Sequence, residues 1–162
     1  MKKVNIISYM KPSVNEDHMG TNINENEKGS IEIALQLKEA LGGEVIALTV
    51  GEKPAEEILR EAFAMGVDQA VMIEEIEENE DNVAKALKKI GYDVVVSSSE
   101  LGKTVAEKLN IPYIEYNEEV IKEINSKLPC VLSTTATKIK ARYMQISGVF
   151  SAYEKIIKQE QL

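Results

Sequence analysis

EVIALTVGEKPAEEILREAFAMGVDQAVMI, Glu44–Ile73, decides the fold. Glu44–Val50 is apolar and partly β-branched, the composition of a buried strand. Gly51 stops it. Pro54 stands where the first turn of a helix tolerates proline, having no N–H to lose there. Ile58, Leu59, Ala62 and Phe63 recur at helical spacing and form an inner stripe. Gly66 closes that helix, and Gln69–Ile73 is the next strand. Strand, helix and strand joined by short links make a right-handed parallel crossover.

The same alternation extends in both directions. Upstream, Lys3–Tyr9 (KVNIISY) reads as a buried first strand. Met10–Glu27 is polar, holds Pro12, Gly20 and four asparagines, and reads as a long loop. Ser30–Leu41 carries Ile33, Leu37 and Leu41 on one face and ends at Gly42-Gly43, as helices often do. Downstream, Asn79 or Asp81 caps a helix that runs to Ile90 with Val83, Leu87 and Ile90 inward. Asp93–Ser97 (DVVVS) is the fourth strand and Leu101–Leu109 a short helix, stopped by Pro112. Ile111–Tyr116 is a short strand. Asn117–Leu128 fits a helix through Val120, Ile121 and Ile124, with a hairpin as the alternative. Pro129–Thr135 (PCVLSTT) is another strand, and Ser151–Gln159 reads as a final helix. The whole predicts one domain, residues 1–162. It is a doubly wound three-layer α/β/α sandwich around a mostly parallel sheet.

Composition narrows the function. The 162 residues are 44% hydrophobic, enough for one packed core. No apolar run is long enough to cross a bilayer, and Met1–Met10 reads as a strand rather than a leader, so a cytoplasmic protein without a membrane partner is expected. The single Cys130 agrees with a reducing compartment and reads as a small core residue. The net charge of −8 repels phosphate backbones, so nucleic acid is not expected as a partner. The acidic run Glu74–Asp81 reads as a solvated loop entering a helix, with a metal or basic-partner site as the alternative.

In a doubly wound sheet, ligands bind outside the carboxyl ends of the strands where the strand order reverses. The first and fourth strands commonly flank that crevice, which places it between the loops after Ser8 and Ser97. Ser97-Ser98-Ser99-Glu100-Leu101-Gly102-Lys103-Thr104 leaves a strand and opens a helix, a turn attractive to phosphate. It falls one residue short of a phosphate-binding G-x-x-x-x-G-K-[ST] loop, because Ser97 stands where glycine is needed. The alternative is that the loop caps its helix while Gly102 allows close packing. His18, the one histidine, neighbours Glu16 and Asp17, but adjacent loop residues rarely converge on a metal. No nucleophile–histidine set gathers around Cys130. The chemistry points to a binding module rather than a catalyst.

Several segments, in order, resemble the electron-transfer flavoprotein family, its β subunit in particular. They are Ala34–Ala40 (ALQLKEA), Gly42–Gly51 (GGEVIALTVG) and Ala55–Ala70 (AEEILREAFAMGVDQA), with Ala64-Met65-Gly66-Val67-Asp68 the most specific piece. Gly102–Pro112 (GKTVAEKLNIP), Pro129–Thr134 (PCVLST) and Arg142–Ile146 (RYMQI) follow. The N-terminal domain of the α subunit shares the fold. The resemblance implies an adenine-nucleotide-binding, Rossmann-like domain that helps pass electrons from dehydrogenases through FAD. It implies AMP or another adenine nucleotide held by Ser8 and Tyr9, by Asn24–Glu27, by Val50, and by Ser97, Ser98, Ser99, Gly102, Lys103 and Thr104. FAD is expected only with a partner subunit. Arg142, Tyr143 and Ile146 correspond to the segment that docks on dehydrogenase partners. Of the family's N-P-F-[DC]-E motif the chain keeps Asn24, and its fourth-strand loop lacks the family's longer insertion.

Three functions follow as expectations. The first is an electron-transfer flavoprotein-like subunit, as a homodimer or as a heterodimer with a flavin-binding subunit. The second is a stand-alone AMP- or ATP-binding regulatory module. The third, a hydrolase built on the Ser97–Thr104 loop, is the least favoured.

Overall fold

The computed structural model describes residues 4–11, 25–51, 56–74, 79–135, 138–142, 148 and 151–160. Strands and helices alternate as β1 (Asn5–Tyr9), α1 (Glu25–Leu41), β2 (Glu44–Gly51), α2 (Glu56–Met65), β3 (Gln69–Glu74), α3 (Glu80–Ile90), β4 (Val94–Ser97), α4 (Leu101–Leu109), β5 (Tyr113–Glu115), α5 (Val120–Glu123), a 3₁₀ turn (Ile124–Lys127), β6 (Cys130–Ser133) and β7 (Ile157–Glu160). The seven strands form one sheet in the order β5-β6-β4-β1-β2-β3-β7. Every pair is parallel, so among the described residues the sheet is wholly rather than mostly parallel.

The two-residue period of each strand divides the core into two layers. Ile6 of β1, Met10 just after it, and Val45 and Ala47 of β2 meet one cluster, which includes Ile33 and Leu37 of α1 and Ile58, Leu59, Ala62 and Phe63 of α2. Ile7 and Tyr9 of β1, with Ile46, Leu48 and Val50 of β2, meet the other, with Val83 and Leu87 of α3 and Val105 and Ala106 of α4. Helices therefore cover both faces, as parallel sheets require. Cys130 is fully buried in the first layer, as its sequence context predicts. Burial pushes its thiol up to about 11.

Local chemistry settles the open boundaries. Asn79, not Asp81, caps α3, its Oδ1 accepting the N–H of Asn82 at 2.9 Å. Asn117 Oδ1 accepts the N–H groups of Glu119 and Val120, which starts α5 and decides for helix over hairpin. Two expectations fail. α1 begins at Glu25, not Ser30, so the end of the expected Met10–Glu27 loop is helical. Its first turn is polar, so apolar periodicity could not reveal it, yet Glu27 is buried and accepts the N–H of Lys11. Ser151–Gln159 is not a helix: helical structure stops at Ala152 and the chain becomes β7 beside β3. The Arg60 guanidinium takes the carbonyls of Ala152 and Lys155, which turns the chain toward the sheet edge.

Candidate functional site

β1 is central. From it the chain winds outward through β2 and β3, then α3 returns it to β4 on the opposite side. Tyr9 stands beside Ser97 in the β1–β4 ladder. The strand order thus reverses between β1 and β4, and the carboxyl ends of these strands form the crevice where doubly wound sheets bind ligands.

Each residue named from the sequence has a definite place at this edge. Ser8 is fully buried and points to the α1 layer, while Tyr9, 2% exposed, packs in the α3–α4 layer. Val50 is buried near the end of β2, so its side chain belongs to the core. Ser97 ends β4, and its Oγ accepts the N–H of Ser99 at 3.1 Å. Ser99 Oγ in turn accepts the N–H of Leu101 at 3.2 Å. The N–H of Gly102 goes to Ser99 O and that of Lys103 to Glu100 O. The loop thus caps α4 with its own hydroxyls and carbonyls, and several donors that the motif offers to phosphate are used internally.

Gly102 is a packing glycine. A Cβ there would lie 3.3 Å from Ser97 Cβ and 3.5 Å from Val131 Cγ1, so glycine lets α4 press on β4 and β6. Ser98 and Thr104 are half-buried and Lys103 is exposed. Asn24, Tyr143, Ile146 and His18 lie outside the described residues. Arg142 is described: it stays exposed, but its guanidinium is engaged by Glu32 and Glu39 of α1.

The fold adds groups that sequence reading missed. Ser133 pairs with Ser97 in register, and Thr134 donates its N–H to Ser97 O at 2.9 Å. Ser133 and Thr135 share a hydroxyl contact of 2.9 Å. Both β4 and β6 therefore leave the sheet through a run of hydroxyls, a repetition visible in VVVSSS and VLSTT. On the α1 side, the hydroxyls of Ser8, Ser30 and Thr49 are buried and find no hydrogen-bond partner among the described residues. Glu27, 2% exposed, sits in the same first turns of α1. A cavity of about 510 Å³ lined by Ile111, Pro112, Ile114 and Leu128 lies by the amino ends of β5 and β6, away from this edge.

The model of the electron transfer flavoprotein domain matches residues 13–128, most of the sheet and its helices. The chain belongs to that family. One relative, the acryloyl-CoA reductase electron transfer subunit gamma of Anaerotignum propionicum, is 30% identical over 88% of this chain and 67% of its own length. The electron transfer flavoprotein subunit beta of Thermoanaerobacterium thermosaccharolyticum is 29% identical over 82% of this chain and 63% of its own. The caffeyl-CoA reductase-Etf complex subunit CarD of Acetobacterium woodii is 28% identical over 83% and 64%. The chain thus spans about two thirds of the length of these relatives. Among the described residues no helix is long and apolar enough to cross a membrane.

Proposed function

We propose that this chain is an electron-transfer flavoprotein β-like subunit whose edge between β1 and β4 takes AMP or another adenine nucleotide. It supports electron transfer through a flavin held with a partner subunit. The observation that carries the reading is the crevice itself, a strand-order reversal flanked by Tyr9 and Ser97 in a chain of this family. The residues present fit a nucleotide. Hydroxyls of Ser98, Ser133 and Thr135 stand at the carboxyl ends of β4 and β6, and Lys103 and Thr104 supply a cation and a further hydroxyl in the first turn of α4. On the α1 side, the buried hydroxyls of Ser8, Ser30 and Thr49 have no hydrogen-bond partner among the described residues, a polar set of the kind that a polar ligand relieves. FAD on the partner would supply the redox chemistry, and this chain would contribute binding and docking, with Arg142 bracing the segment that leads to Tyr143 and Ile146.

Two measurements test this. The purified chain alone is expected to be colourless, with AMP raising its melting temperature through mass action, by about 2.7 kcal/mol of stability at a hundredfold excess over Kd. Small molecules released by denaturation, identified by mass spectrometry and absorbance, should include an adenine nucleotide. Stoichiometric flavin in the isolated chain would overturn the need for a partner. The absence of any thermal shift with AMP, ADP or ATP would overturn the nucleotide site. A nucleotide shift with no flavin-bearing partner in cell extracts would move the assignment to a stand-alone regulatory module.

A further inference from the structure

We infer that the β7 edge is a two-fold interface between copies of this chain, in which Lys158 of each copy pairs with Glu160 of the other. β7 is the last strand of the sheet, and among the described residues it pairs only with β3. An edge strand presents backbone donors and acceptors to a further strand. Antiparallel pairing of two β7 strands about Gln159 sets Lys158 opposite Glu160 twice, once on each side of the axis. Residues opposed in this way lie on one face of the sheet, within reach of each other. The sequence IKQE is thus complementary in charge to itself in this register. The other edge, β5, is not: two-fold pairing about Ile114 would set Tyr113 opposite Glu115.

A second observation lies beside the strand. Among the described residues, the large apolar side chains classed as exposed are Tyr153, at 75%, and Ile156, at 84%, both just before β7. They are held in place rather than frayed. Arg60 binds the carbonyls of Ala152 and Lys155, and the Lys155 ammonium lies 5.2 Å from the centroid of the Phe63 ring. A fixed apolar patch continuous with an unpaired edge needs less ordering on association than a mobile one. The present partners of the two charges are weak: Lys158 reaches Gln69 Oε1 at 3.3 Å, and Lys89 lies 3.6 Å from Glu160. Both side chains are at least partly exposed and free to turn to a neighbouring copy.

The test is sedimentation equilibrium of the full 162-residue chain. The wild type should show a reversible monomer–dimer equilibrium. Lys158→Glu turns two attractive pairs into repulsive ones and should raise the dissociation constant roughly tenfold. Lys158→Glu with Glu160→Lys restores opposite charges and should return it close to the wild-type value. Circular dichroism melting checks that each variant folds. Should Lys158→Glu fail to fold, Lys158→Gln takes its place and should give a smaller rise. A wild type that stays monomeric up to its solubility limit overturns the proposal. So does a dimer whose affinity ignores Lys158, or a folded charge-swapped variant that does not regain affinity.

Discussion

Arg142 clasps Glu32 at two points, Nε to Oε1 at 2.7 Å and Nη2 to Oε2 at 3.0 Å. The backbone N–H of Arg142 reaches the same Oε1 at 3.1 Å, and Nη2 also reaches Glu39 at 2.7 Å. Glu32 is 6% exposed, so its carboxylate depends on this cation for charge balance. Arg142→Ala should lower stability by about 1–3 kcal/mol, less than a wholly buried pair because the arginine is partly exposed. The Arg142→Ala/Glu32→Gln pair should cost less than the sum of the single changes, because the stranded carboxylate is gone. Urea denaturation measures both; strict additivity would mean that the clasp does not couple.

The same clasp sets an acid dependence. Burial alone would raise the Glu32 pKa, but hydrogen bonds from Arg142 and Gln36 outweigh it and leave the group below its ordinary 4.5. A folded-state pKa below the unfolded one stabilises the fold above the unfolded value, and that stability is lost as pH falls through the folded value. The advantage of the wild type over Glu32→Gln should be complete at neutral pH and shrink below about 4.5. Denaturation midpoints of both proteins across acid pH check this; a gap that widens in acid would contradict it.

Gly42 and Gly43 both have positive φ, at 75° and 106°, but only one is walled in. A Cβ on Gly43 would lie 2.1 Å from the carbonyl oxygen of Val4, whereas nothing stands within 4 Å of one on Gly42. Gly42→Ala should therefore cost about 1 kcal/mol, the penalty of the backbone conformation alone. Gly43→Ala adds a backbone clash at the start of β1 and should cost about 3 kcal/mol or more. Thermal melting of the two variants separates conformation from contact.

Such backbone constraints are what made the fold legible. Runs such as EVIALTV and DVVVS set consecutive apolar, largely β-branched residues behind a single charged residue, Glu44 or Asp93, so parallel strands buried on both faces were the natural reading. Gly42-Gly43, Gly66 and Gly91 all take positive φ and mark where helices end. What escaped reading was held by contacts distant in sequence. The first turn of α1 shows no apolar period because Glu27 is fixed by the Lys11 backbone. β7 has one buried residue, Ile157, so no alternation betrays it, and Arg60, far away on α2, turns the chain into it. At the site, the strand-end serines could be named from sequence. Capping of α4 by the loop was the alternative reading there, and the contacts decide for it: Ser97 Oγ accepts the N–H of Ser99 and Ser99 Oγ that of Leu101, while Gly102 packs against Ser97 and Val131.

Cys130 gives a probe of that seated core. It is fully buried, and burial pushes its thiol up to about 11, so almost no thiolate forms at neutral pH. The folded protein should resist thiol reagents at neutral pH. Labelling should rise with urea along the same curve as unfolding, followed by mass spectrometry against circular dichroism. Rapid labelling without denaturant would show that the β4–β6 region opens locally.

Thr49 Oγ1 and Ser30 Oγ are fully buried without a hydrogen-bond partner among the described residues, beside the edge proposed to take a nucleotide. A buried hydroxyl without a partner keeps its desolvation cost and gains nothing in return. Thr49→Val keeps the shape and removes that cost, so the free protein should become more stable by about 1 kcal/mol; Ser30→Ala should act in the same direction. If these hydroxyls face the ligand, the same changes should shrink the stabilisation that AMP confers. The two effects have opposite signs, so melting curves with and without AMP separate them. Variants less stable without nucleotide would mean that the hydroxyls already have partners in solution. Variants more stable, yet with an unchanged AMP shift, would place the nucleotide nearer the β4 and β6 hydroxyls, away from α1.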